Sequence, residues 1–139
     1  MVSRYYLDAC IWLDLIEDRN EPHLSRGDYA WKLLKKIISE EGVILYSDMI
    51  VEELTEGYGY PMYKIEPLFQ LLKRVLFYID STEEYIGKAK EIGGKRNIPH
   101  GDVLHALLAR DYRAQLVSRD RDFEKLKDIV ISKKPEELI

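Results

Sequence analysis

The sequence predicts a single α/β domain over residues 1–139, a three-layer α/β/α sandwich around a mostly parallel five-stranded sheet. Two observations predict it. Short runs such as Val43-Ile44-Leu45-Tyr46 and Val75-Leu76-Phe77-Tyr78-Ile79 are apolar without alternation, the pattern of strands buried on both faces. These runs alternate with stretches whose apolar residues recur at helical spacing. Right-handed crossovers between parallel strands then wind the chain over both faces of the sheet. No internal repeat, low-complexity tract or linker divides it.

Taken in order, Tyr5-Tyr6-Leu7 ends in Asp8 and reads as the first strand. Ile11, Trp12, Leu15 and Ile16 follow on one helical face, and a turn falls at Asn20-Glu21-Pro22. Ala30, Leu33, Leu34, Ile37 and Ile38 mark an amphipathic helix, which Gly42 is expected to close as a C′ glycine. Val43–Tyr46 is the second strand, and Ser47 is an N-cap for a helix carrying Ile50, Val51 and Leu54. Pro61 starts a helix with Ile65, Leu68, Phe69 and Leu72 on one face. After the third strand, 75–79, Ser81 and Glu84 form a capping box for a helix holding Tyr85, Ala89 and Ile92, ended by Gly93-Gly94. Pro99 and Gly101 mark a turn, a helix covers 102–112, and Gln115–Val117 and Asp128–Ile131 are the fourth and fifth strands.

Composition excludes several classes. No apolar run approaches the roughly 18 residues of a membrane helix, and Met1-Val2-Ser3-Arg4-Tyr5 lacks a signal-peptide layout. The one cysteine, Cys10, excludes a disulfide framework and fits a reducing cytoplasm. With 25 Asp plus Glu against 21 Lys plus Arg, the formal charge of −4 at first argues against a nucleic-acid partner. The imbalance is local: residues 1–60 carry net −6 and residues 61–139 net +2.

In a parallel sheet the carboxyl ends of the strands share one edge, where ligands bind. Asp8 directly follows strand one, Glu53 lies in the helix after strand two, and Asp102 opens the helix before strand four. Asp120 and Asp122 follow strand four in Ser118-Arg119-Asp120-Arg121-Asp122-Phe123. Singly, each has a local reading: Asp8, Asp102 and Asp122 as N-caps, Glu53 as a solvated helix face, Asp120 as a turn former. Together they would repel one another, and a divalent cation relieves that conflict. Hard oxygen ligands suit Mg²⁺ or Mn²⁺. The cluster therefore implies a metal.

With these motifs in view, the chain resembles the PIN-domain ribonucleases, and within them the VapC-like toxins and related small stand-alone PIN proteins. The resemblance runs from Tyr6-Leu7-Asp8-Ala9-Cys10 through Val51-Glu52-Glu53-Leu54 and Gly101-Asp102-Val103-Leu104-His105-Ala106 to the stretch 118–123. It implies strand order 3-2-1-4-5 and metal-dependent cleavage of RNA by one or two ions. Position by position, the acidic site falls on Asp8, Glu53, Asp102 and Asp120, with Asp122 a less constant fifth member. The resemblance also implies a homodimer and an antitoxin protein covering the acidic groove. The family often has Thr, then Ser or Asn, after the first aspartate, where this chain has Ala9 and Cys10, a weakly bonding thiol. A catalytically silent PIN-fold scaffold or RNA-binding module is the alternative, and the intact acidic set argues against it.

Several neighbours keep two readings. Ser118 bonds either a carboxylate or a substrate phosphate, or else caps the local turn; Arg119 and Arg121 face phosphates beside the metal or a solvated surface. His105, three residues beyond Asp102, either packs structurally or touches the metal shell, while His100 lies in a preceding loop. Tyr58, Tyr60 and Tyr63 around Gly57 and Gly59 form an aromatic loop that either stacks bases or docks a partner, or closes over the sheet. A receiver-like phosphoacceptor fits poorly, because strand one ends in a single acid. A haloacid-dehalogenase-type phosphatase needs D-x-D, and Asp8-Ala9-Cys10 lacks it.

Overall fold

The structure is a computed structural model that describes residues 2–17, 22 and 24–139. The strands are β1 (Arg4–Leu7), β2 (Val43–Ser47), β3 (Leu76–Ile79), β4 (Gln115–Val117) and β5 (Ser132–Lys133). They pair in the order β3-β2-β1-β4-β5, and every pairing is parallel. The helices are α1 (Ala9–Glu17), α2 (Arg26–Ser39), α3 (Asp48–Glu52), α4 (Met62–Leu71), α5 (Glu83–Arg96) and α6 (His100–Asp111). A π-helical turn, Glu53–Gly57, continues α3, and 3₁₀ helices cover Arg121–Leu126 and Pro135–Glu137.

Alternation along β2 shows how the layers are divided. Tyr46 meets Phe69 of α4 with ring centroids 4.9 Å apart. The next residue, Ser47, points the other way and bonds Tyr6 of β1, which in turn bonds His105 of α6. One face thus lies under α1, α2 and α4, the other under α5 and α6. Trp12 and Phe69 pack edge to face at 5.1 Å between α1 and α4. The fully buried Leu33, Ile37, Ile44, Leu104 and Leu107 fill the two interlayers, each worth roughly 1.5–3 kcal/mol of burial.

Several local expectations shift. The α2 terminus places Glu41, not Gly42, in the left-handed region at φ 57°. Glu41 N–H then bonds Ile38 O, and Gly42 N–H bonds Ile37 O at 2.9 Å, the two bonds of a Schellman motif. Gly42 is needed for proximity instead, since a Cβ there would lie 3.1 Å from Ser3 O. Thr82, not Ser81, caps α5, because Ser81 donates both its N–H and hydroxyl to Asp48. Gly93 and Gly94 lie inside α5, which ends at the left-handed Asn97. Its Gly93 allows the carbonyl of Ile98 to come within 2.7 Å of where a Cβ would sit.

Helix α6 begins at His100, so His100 and Gly101 are helical rather than loop residues, and Asp102 is in the first turn instead of at the cap. The fifth strand is Ser132–Lys133, beyond the expected Asp128–Ile131, whose Ile129 and Val130 pack against the core from outside the sheet. Asn20, Glu21 and His23 lie outside the described residues.

Candidate active site at the carboxyl edge of the sheet

Strand register brings the site together. Leu7 pairs with Val117, so Asp8 and Ser118 leave adjacent strands at the same level. Asp8 is 5% exposed, and both of its oxygens are engaged. Oδ1 accepts Ala9 N–H at 2.8 Å, and Oδ2 accepts the Ser118 hydroxyl at 2.7 Å. Ser118 Oγ in turn accepts Asp120 N–H at 3.0 Å. Of the two readings of Ser118, its hydroxyl bonds a carboxylate and also shapes the turn to Asp120.

Glu53 reaches the edge through an irregular turn. After the single helical turn of α3, the Tyr58 N–H bonds Glu53 O at 2.8 Å, an i to i+5 bond that widens the coil. Such π-turns are frequent at functional sites. The Glu53 carboxylate then meets His105 Nε2, which lies 4.0 Å from Asp8 Oδ1. His105 is fully buried, and its Nδ1 is 2.7 Å from the Tyr6 hydroxyl. Sequence reasoning left His105 between packing and the site. It packs in the core, and its Nε2 bonds Glu53. The available signal was one polar residue on the otherwise apolar face of α6.

Asp102, Asp120 and Asp122 form a second group, in which one oxygen of each lies within 4.8 Å of the others. The capping expected of Asp122 belongs to Asp120, whose carboxylate accepts Asp122 N–H at 2.9 Å. Burial of Asp102, and then the charges of Asp120 and Asp8, push its carboxyl up to about 7. Burial opposes the charged His105 ring, but its bond to Glu53 and the nearby carboxylates hold it above the ordinary histidine value. The five acids of the sequence reading thus lie at one edge as two groups, the first containing a histidine.

The cluster's chemistry fits a divalent cation. A half-buried Asp102 with the Asp120 and Asp8 carboxylates beside it favours a positive charge among them, and their oxygens suit a hard ion. Near them, Cys10 Sγ lies 3.5 Å from Asp8 Oδ2, and burial pushes its thiol well up, so it is a neutral neighbour and not a nucleophile.

Arg119, expected beside a phosphate, is bound elsewhere. Its guanidinium is 11% exposed and pairs with Glu136 at 2.7 Å and with the buried Asp14 at 3.6 Å. It ties the turn after β4 to α1 and to the C-terminal 3₁₀ helix. Arg121 is exposed in the first turn of 121–126, beside Asp122. Of the tyrosines, Tyr60 packs on the core, whereas Tyr58 and Tyr63 are exposed. Arg96 pairs with Asp128 and Lys95 with Glu91 in exposed ion pairs.

The chain belongs to the PIN domain family, whose model matches residues 5–129. Similar folds occur in VapBC2 from Rickettsia felis bound to a DNA fragment from its promoter, with TM-score 0.66 and 22% identity over 94% of this chain and 98% of that one. A toxin–antitoxin complex from Klebsiella pneumoniae gives TM-score 0.63 and 16% identity over 94% and 97%. FitAcB from Neisseria gonorrhoeae gives 0.59 and 18% over 96% and 99%. At these identities the likeness is one of fold. No curated protein matches the chain in sequence. Among the described residues, no helix is long and apolar enough to cross a membrane.

Proposed function

We propose that the protein is a metal-dependent endoribonuclease in which Asp8, Glu53, Asp102, Asp120 and Asp122 hold one or two Mg²⁺ or Mn²⁺ ions. The observation that carries this reading is the convergence of these five acids on one sheet edge, where burial and then the charges of Asp120 and Asp8 raise Asp102 to about 7. When bound, such an ion supplies Lewis acidity, activating water at neutral pH and offsetting the charge that develops on phosphate.

The chain's own contribution is placement. Ser118 and the Ala9 amide orient Asp8, Asp120 is fixed at a helix start, and Glu53 is presented by the π-turn. Arg121, exposed beside Asp122, is placed to meet a phosphate of the RNA. Divalent ions would also reverse the field of the acidic edge, which answers the objection raised by the net charge of −4.

A toxin role with an antitoxin protein as partner is supported by the toxin–antitoxin assemblies that share the fold, and the homodimer is proposed from the family resemblance alone. The test is cleavage of RNA with Mg²⁺ or Mn²⁺ by the wild type, Asp8→Asn and Asp102→Asn. The wild type should leave 5′-phosphate ends, and cleavage should disappear in both variants. Cleavage that survives both substitutions, or 2′,3′-cyclic phosphate ends, overturns the assignment. Binding of RNA without any cleavage favours the scaffold reading.

A further inference from the structure

Three polar groups lie at the centre of the molecule. Tyr6, Ser47 and His105 are each 0% exposed, on β1, at the end of β2 and on α6. Withdrawing such groups from water is costly unless each finds a partner. Each does: Ser47 Oγ lies 2.7 Å from the Tyr6 hydroxyl, and that hydroxyl 2.7 Å from His105 Nδ1. Apolar side chains would fill the same core at no such cost, so the chain of bonds calls for a purpose at its ends.

One end is the backbone of α3, where Ile50 N–H bonds Ser47 Oγ at 3.4 Å. The other is the Glu53 carboxylate, bonded by His105 Nε2. A carboxylate only accepts, so the proton in that bond sits on Nε2. Through Nδ1 the ring is held by the Tyr6 hydroxyl, which Ser47 and the Ile50 amide hold in turn, so that Nε2–H points at the carboxylate.

Glu53 needs such support more than Asp8 does. Asp8 is short and anchored by Ser118 and Ala9. Glu53 is long, 29% exposed and mounted on an irregular turn. Left alone, it would lose rotamer freedom at every binding event. We infer that Ser47, Tyr6 and His105 are positioning residues, a buried relay that fixes the orientation in which Glu53 presents its carboxylate to the ion; this rests on the metal reading above.

The test is Mn²⁺ affinity of the full chain, measured by electron paramagnetic resonance, for the wild type, Tyr6→Phe, His105→Leu and His105→Gln. Tyr6→Phe removes one oxygen from the core and keeps the ring, so it remains informative if His105→Leu fails to fold. Tyr6→Phe and His105→Leu should weaken Mn²⁺ binding by about 10–100-fold. His105→Gln, whose amide can still donate to Glu53, should recover most of that loss. Unchanged affinity in Tyr6→Phe, or equal losses in the Leu and Gln variants, overturns the relay. So does ¹⁴N hyperfine coupling to bound Mn²⁺, which would make His105 a ligand.

A second measurement needs no metal. The His105 Nε2–H proton should give a downfield, exchange-protected resonance that moves in Glu53→Gln and Tyr6→Phe. Its presence with no Mn²⁺ binding in the wild type would sink the metal reading and leave the relay standing. Its absence sinks the relay.

Discussion

Ser118 Oγ donates to Asp8 Oδ2 at 2.7 Å across 110 residues of sequence, joining the ends of β1 and β4 through one buried bond. The same oxygen accepts Asp120 N–H. One hydroxyl therefore sets the relative position of two of the proposed metal-holding acids.

Ser118→Ala leaves a buried carboxylate oxygen short of a donor and should destabilise the protein by about 1–3 kcal/mol. Mn²⁺ affinity should fall with it. Ser118→Thr keeps the hydroxyl and should stay close to wild type in both. Calorimetric titration beside thermal unfolding checks this, and an Ala variant with intact affinity would show that the bond is dispensable for the site.

Asp102 supplies a pH prediction. Its carboxyl is raised to about 7 in the folded protein and ionises near 3.9 in an unfolded chain. Between those values the metal-free folded state binds the extra proton, so Asp102's contribution to stability falls as pH rises from about 4 to 7. Asp102→Asn should remove that slope and gain most over wild type above pH 7. Because an ion must displace the proton, a fixed Mn²⁺ concentration should raise the Tm of the wild type more at pH 8 than at pH 5. Parallel Tm–pH curves for the two proteins would contradict this.

Arg119→Met removes the cation that pairs with Glu136 at 2.7 Å and lies 3.6 Å from the buried Asp14. Glu136 is held below its ordinary pKa despite burial, by the Arg119 hydrogen bond and charge. Removing one partner of a buried pair costs about 3–5 kcal/mol. Denaturant unfolding should show a loss of that order while Mn²⁺ affinity of the folded protein holds. A weaker KM for RNA with unchanged stability would instead return Arg119 to the substrate.

Glu41 holds φ 57° without being glycine. Glu41→Gly should relieve that strain and stabilise the protein by up to about 1 kcal/mol, read as a higher Tm. Gly93→Ala should do the reverse, because its new methyl meets the Ile98 carbonyl.

The parallel sheet and the acidic edge were readable because both depend on pattern: unbroken apolar runs for buried strands, and acids placed just after them; the strand order came from the family resemblance. The missed features depend on contacts between distant residues. Ser81 looks like a cap until Asp48 claims it. Gly93-Gly94 looks like a stop until α6 packs beside it and Asn97 takes the left-handed position. Strand β5 is two polar residues long, with no apolar run to announce it. Glu53 was legible as a member of the acidic edge, but neither its π-turn nor its link through His105 to Tyr6 leaves a spacing signature. Arg119 stands among the motif residues, and only the fold brings Glu136 to it.

The central strand β1 and its neighbour β4 pair across some 110 residues of chain, so β4 is made well after β1. At synthesis rates of about 5–20 residues per second, roughly 6–22 s separate the two. During that interval Asp8 exists without Ser118 or Asp120, and for most of it without Asp102. The acidic edge is therefore assembled late, when β4 and the turn that follows it join a β1 made long before.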